Sequence, residues 1–228
     1  MAKLKPEILI FDVDGVLVDV RGSYHRAIVE TVRQFTRKRV ARDEIHRWKN
    51  RTGYNDDWKL TFDWIRSLGG RVRYQDVTRV FQKLYRGRNF DGLISRERWL
   101  AERGLLPRLA RRYELAIFTG RPRREVLYTL DKFAVRQLFE RIVALEDVHR
   151  PKPSPEGLRR ILNGRSAARA AYVGDNVDDA RAARRAGVVF LGVLPRKSAA
   201  RKFRWAWLRR LEARAVLGSV NELERWLA

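Results

Sequence analysis

Apolar residues fall into two patterns along this chain. Short continuous runs end or sit at 7–13 (Glu-Ile-Leu-Ile-Phe-Asp-Val), 114–118, 141–145, 170–173, 188–193 and 215–217. Such runs, without alternation, mark strands covered on both faces, as in a parallel sheet. From Arg21 to Tyr85 the period becomes helical. Ile28, Val32 and Phe35 form one stripe, Trp58, Phe62 and Ile65 a second, and Val77, Val80, Phe81 and Leu84 a third. Gly69-Gly70 reads as the loop between two of these helices. Beyond Asp91-Gly92, strands and helices alternate. Thr119-Gly120-Arg121-Pro122 turns into a helix, and the prolines of Pro151-Lys152-Pro153-Ser154-Pro155 bar regular structure until a helix begins near Pro155. Gly187 closes another helix, and a last one starts at Ser219. Alternation predicts an α/β fold, a doubly wound parallel sheet, formed by residues 1–19 and 93–228. A helical insert, 20–92, follows the first strand.

Composition narrows the chemistry. A length of 228 residues with 45% hydrophobic content suits one core domain carrying a smaller insert. The absence of cysteine removes disulfides, thiolate zinc sites and a cysteine nucleophile. The three histidines, His25, His46 and His149, lack metal-pair spacing. Any metal therefore falls to oxygen ligands, which suit Mg²⁺ or a similar hard cation. No apolar run approaches the roughly 18 residues of a membrane span, and the apolar stretch before Asp12 is too short for a signal peptide. The expectation is a cytoplasmic protein without a membrane partner; the oligomeric state is not legible.

The formal charge of +23 raises nucleic acid as a partner. Forty of the fifty basic residues are Arg, scattered from Arg21 to Arg225 rather than gathered with Lys. That distribution favours a coding bias over a binding face. The densest patch, Arg196 to Arg214 with Phe203, Trp205 and Trp207, reads as an amphipathic helix.

Four features follow the carboxyl ends of expected strands, where open α/β sheets bind ligands. In Asp12-Val13-Asp14-Gly15, two carboxylates one residue apart can serve as nucleophile and as proton donor and acceptor, with Gly15 allowing the chain to turn. Thr119-Gly120 offers a hydroxyl and backbone N–H groups to an oxyanion. Lys152, held between two prolines, supplies a placed positive charge for phosphate. Gly174-Asp175-Asn176-Val177-Asp178-Asp179 could complete an oxygen cage for Mg²⁺ with Asp12.

Together these features resemble the haloacid dehalogenase superfamily, whose four short motifs occur in this order, with a helical C1-type cap between the first two. The arrangement is similar to phosphoglycolate phosphatase-like and β-phosphoglucomutase-like enzymes. The resemblance implies a Mg²⁺-dependent phosphatase acting on a small phosphorylated metabolite. Asp12 would form an aspartyl-phosphate and Asp14 would act as general acid and base. Asp12, the backbone carbonyl of Asp14, and Asp175 would hold the metal. Thr119, Gly120 and Lys152 would bind the phosphoryl group. Asp179, or alternatively Asp178, would orient Lys152 or the metal waters.

Asp14 argues against dehalogenases and phosphonoacetaldehyde hydrolases, which lack that acid, and the insert lysines Lys49, Lys59 and Lys83 read as surface residues. A phosphomutase, a nucleic-acid-end phosphatase and a nucleic-acid-binding protein stand as alternatives. Within the insert, Lys49–Trp58 is rich in hydrogen-bonding groups, and Arg51 and Asn55 are the candidates for substrate contacts. His25 reads as an incidental polar residue.

Overall fold

The structure, a computed structural model, describes residues 3–195 and 201–228; the side chains of 201–204 and 207 are outside the description. Much of the basic patch expected at 196–214 therefore lies outside the described residues. No described helix is long and apolar enough to cross a membrane.

The chain divides into two compact units, one of residues up to Val18 together with Trp99–Ala228, the other Asp19–Arg98. In the first unit six strands form one sheet: β1 (Ile8–Phe11), β4 (Glu114–Phe118), β5 (Arg141–Val143), β6 (Ala170–Gly174), β7 (Val189–Val193) and β8 (Ala215–Leu217). Their order is β5-β4-β1-β6-β7-β8, with parallel pairing at each step. Between β1 and β8 lie α5 (Leu105–Ala110), α6 (Arg123–Lys132), α7 (Glu156–Leu162), α8 (Val177–Ala186) and α9 (Arg201–Arg210). Two short strands, β2 (Val18–Asp19) and β3 (Arg98–Trp99), pair separately where the chain passes from one unit to the other.

All four residues of β1 are buried. The two-residue period of a strand sends Ile8 and Ile10 to one face, where they join Phe118, Leu158, Ile161, Tyr172, Ala180 and Phe190. Leu9 and Phe11 point the other way, and Phe11 meets Phe139 edge-on at 6.4 Å. A strand apolar on both faces needs cover on both, and each such side chain contributes about 1.5–3 kcal/mol on burial.

The second unit packs α1 (Tyr24–Thr36), α2 (Glu44–Lys49), α3 (Asp57–Ser67) and α4 (Tyr74–Tyr85). Its core stacks Tyr24 on Tyr85, with ring centroids 3.9 Å apart and Phe81 beside them. The stripe expected on α3 is displaced. The helix buries Leu60, Thr61, Trp64 and Ile65, whereas Trp58 and Phe62 are half-buried and Phe62 lies edge-on to Tyr74. Neighbouring elements select the buried face, and large aromatics tolerate its rim. The expected insert also ends too early. Residues 93–98 belong to the helical unit because Ile94 is buried there and Glu97 accepts hydrogen bonds from the Ser23 hydroxyl at 2.9 Å and the Tyr85 hydroxyl at 3.0 Å. The last helix is a 3-10 helix, Val220–Trp226.

Candidate active site

The strand order reverses direction at β1, which lies between β4 and β6. This is the switch point at which open α/β sheets form a crevice beyond their carboxyl ends. Asp12 follows β1 and its N–H bonds the Val173 carbonyl of β6 at 2.9 Å. Thr119 follows β4, Asp175 follows β6, and Lys152 comes from the loop after β5. The chain leaves β1 in a tight turn, with Gly15 N–H donating to the Val18 carbonyl at 2.9 Å. Gly15 has φ +74°, and a Cβ there would stand 2.4 Å from Asp175 Oδ2. Only glycine permits both the backbone and the approach of Asp175.

The buried Lys152 ammonium lies 3.0 Å from Asp12 Oδ1 and 2.8 Å from Asp179 Oδ1. It also lies 4.8 Å from the centre of the Phe118 ring and 5.4 Å from that of Tyr172. Burial alone would lower its pKa, but Asp12 and Asp179 outweigh burial and hold it charged. The Phe118 ring is backed by Gly157 of α7, where a Cβ would come within 2.1 Å of it.

Asp179, also fully buried, is saturated. Oδ1 accepts from the Tyr172 hydroxyl at 2.8 Å as well as from Lys152, and Oδ2 accepts from the N–H groups of Asp175 (3.2 Å) and Asn176 (3.0 Å). Asp179 is thus the acid that reaches Lys152. Asp178 is also buried; its backbone N–H is capped by the Asn176 side chain at 3.2 Å. Tyr172 is pushed well above the usual phenol range by burial first and then by Asp179 and Asp12.

Asp12, Asp175 and Asp179 each offer an oxygen, and these lie within 4.8 Å of one another. Asp179 already accepts four hydrogen bonds or ion contacts, and Asp12 and Asp175 present oxygens beside it that could bind a cation. Asp12 is pushed up to about 8 by burial, because Lys152 is outweighed by burial and by Asp179, Asp14 and Asp175. An all-oxygen donor set carrying surplus negative charge fits a hard divalent cation.

Asp14 is engaged differently. Its carboxylate pairs with Arg121, a fully buried side chain not singled out in the sequence. Thr119 is buried at the tip of β4, its hydroxyl oxygen accepting from the Arg121 N–H at 3.2 Å, and Gly120 is half-buried beside it. Tyr172 was also missed. As a strand aromatic it reads as core, and only its hydroxyl distinguishes it from Phe. For Arg121 the sequence offers little signal, because Arg123 and Arg124 follow it and nothing along the chain tells the buried arginine from its neighbours.

The candidates in the insert lie in the second unit, between α2 and α3. Arg51 is exposed, with its guanidinium 4.9 Å from the centre of the Trp48 ring, and Asn55 is half-buried. In the same unit the buried His25 meets His46 edge to face at 5.6 Å.

Comparison with known proteins places this arrangement in a family. Residues 9–193 match the family model for haloacid dehalogenase-like hydrolases. A protein of Phytophthora nicotianae named imidazoleglycerol-phosphate dehydratase is 39% identical over 197 residues, covering 82% of this chain but only 43% of that protein. The phosphoglycolate phosphatase of Pseudomonas fluorescens is 24% identical over 203 residues, covering 82% of this chain and 69% of that one. The crystal structure described as a predicted phosphoglycolate phosphatase from Haemophilus somnus shares the fold, with a TM-score of 0.77, 18% identity and coverage of 98% and 99%. With the model match spanning most of the chain and the four motif positions gathered at the sheet's switch point, this chain belongs to the haloacid dehalogenase-like hydrolases.

Proposed function

We propose that the protein is a Mg²⁺-dependent phosphatase that hydrolyses a small phosphomonoester through an aspartyl-phosphate on Asp12. The observation that carries this reading is the buried Lys152 bridging Asp12 and Asp179 beside Asp175. It leaves a nucleophile-sized carboxylate at the head of a site with one fixed cation and an acid pair able to bind a second.

Asp12 attacks phosphorus, forming the Asp12 O–P bond as the ester P–O bond breaks. Asp14 gives a proton to the departing oxygen. It then takes one from the water that cleaves the acyl phosphate and restores Asp12. Lys152 meets the phosphoryl oxygens as a charge that needs no reorganisation, because Asp179, Phe118 and Tyr172 already fix it. The Thr119 oxygen accepts from the Arg121 N–H, which leaves its own hydrogen to donate to a phosphoryl oxygen. Asp12 and Asp175, with the Asp14 carbonyl, would hold Mg²⁺, which supplies charge neutralisation of the phosphate. Asp179 orients Lys152. We assign residues 19–98 the part of a cap that selects substrate, with Arg51 and Asn55 as its contacts.

The test is release of inorganic phosphate with and without Mg²⁺ from a panel of phosphomonoesters. It includes 2-phosphoglycolate, after the phosphatase relative, and imidazoleglycerol phosphate, after the name of the Phytophthora protein. Product analysis separates hydrolysis from transfer to another hydroxyl. No phosphate from any member of the panel, or undiminished release by Asp12→Asn, refutes the reading.

A further inference from the structure

We infer that Arg121 is a positioning residue that determines which oxygen of Asp14 carries the proton; this rests on the phosphatase reading above. The guanidinium–carboxylate contact is one-sided. Arg121 Nε lies 2.8 Å and Nη2 2.5 Å from the same atom, Asp14 Oδ1. A forked pair would ordinarily spend one N–H on each oxygen. Among the described residues no other donor reaches this carboxylate, so Oδ2 is left open, and the Asp14 side chain is 24% exposed.

The arginine itself is anchored. Its side chain is fully buried, Nη1 donates to the buried Thr129 hydroxyl at 2.9 Å, and its backbone carbonyl accepts from Leu145 N–H at 3.0 Å. A guanidinium keeps its proton throughout, and it can donate to Oδ1 whether or not Asp14 is protonated. Oδ2 is therefore the carrier in both half-reactions. In the first, the Oδ2–H bond breaks and the proton goes to the leaving alkoxide as Asp12 takes the phosphoryl group. In the second, Oδ2 takes the proton of the water whose oxygen bonds to phosphorus as the Asp12 O–P bond breaks. Arg121 is unchanged at the end of both.

Leaving-group dependence tests this. Loss of general acid–base assistance costs roughly 10²–10⁴-fold, but departure of nitrophenolate needs no proton. For Arg121→Gln the expected result is a fall in kcat of about 100-fold on glycerol 1-phosphate with KM little changed. On p-nitrophenyl phosphate the first turnover survives as a burst of nitrophenolate, followed by slow release of phosphate. Arg121→Lys, which keeps the charge but cannot place two donors on one oxygen, recovers part of the loss. Should Arg121→Gln not fold, Thr129→Val, which removes the hydroxyl that accepts from Nη1, shows the same pattern at a few-fold. An equal fall on both substrates without a burst, or no fall on either, overturns the proposal while an active parent enzyme leaves the phosphatase reading standing. A parent enzyme inactive on both substrates and on the metabolite panel removes the reading and this inference with it.

Discussion

Each unit of this protein buries acid, and the two do it in opposite ways. In the helical unit Glu97 is buried where Ser23 and Tyr85 donate hydroxyl hydrogen bonds to it, joining the end of the insert to α1 and α4. At the sheet's carboxyl edge Asp12 is buried among Asp14, Asp175 and Asp179, and its lysine does not balance them. The first arrangement satisfies polar groups and fastens chain to chain. The second leaves negative charge in excess inside a low-dielectric site, which a fold seeking only stability would avoid. A buried acid whose neighbours repel it is thus the better mark of chemistry, and a buried acid met by hydroxyls the better mark of architecture.

Substitutions should separate the two kinds of acid. Asp12→Asn should abolish phosphate release, by on the order of 10³–10⁶-fold for loss of a nucleophile. In the absence of Mg²⁺ its thermal midpoint should stay near the parent's, because below about pH 8 the amide replaces a carboxyl that already holds its proton. A marked fall in the midpoint would place Asp12 with Glu97 as architecture. Lys152→Met should cost about 3–5 kcal/mol in denaturant unfolding, the penalty of stranding buried carboxylates, as well as activity. Unfolding at the parent's midpoint would mean that Lys152 does not hold the cluster together.

Glu97→Ala removes the acceptor shared by two buried hydroxyls and should cost about 1–3 kcal/mol. Urea titration checks the figure, and a cost above that of Lys152→Met would reverse the contrast. The smallest expected effect is the pH dependence of metal binding. Asp12 stands at about 8 against an ordinary 3.8. The folded, metal-free state therefore holds a proton that the unfolded chain has lost. Its contribution to stability is full below about 4 and falls as pH rises toward 8. Divalent metal must displace that proton, so its apparent affinity should rise by up to about tenfold, roughly 1.4 kcal/mol, per pH unit below 8 and level off above. Calorimetry in buffers of different ionisation enthalpy reports the proton released. A flat profile between pH 6 and 8 would show Asp12 already ionised.

Much of the frame was legible beforehand. The strands at 114–118 and 215–217 emerge with the expected bounds, and Gly187 caps α8 with φ +71°. These elements rest on local facts: an apolar run covered on both faces, a residue free to adopt positive φ, a proline that blocks a helix. The second boundary of the insert was misplaced because Glu97 and Ile94 reveal their unit only through partners far away in sequence. The face of α3 was misassigned for the same reason: Trp58 and Phe62 are as apolar as Trp64, and periodicity does not know which of them a neighbouring helix will cover.

The order of four polar motifs after apolar runs determined by itself that Asp12, Asp14, Lys152 and Asp175 would be available at strand tips, because strand polarity and loop chemistry are local properties. Only the tertiary structure decided how they are used. It chose Asp179 over Asp178 for Lys152, drew Tyr172 out of the core inventory, and set Arg121 against one oxygen of Asp14. Those choices depend on which side chains meet at the carboxyl edge of the sheet, Arg121 and Asp14 lying 107 positions apart and Tyr172 and Asp179 only 7, and on the low-dielectric burial that makes each meeting consequential; neither is read from the chain order alone.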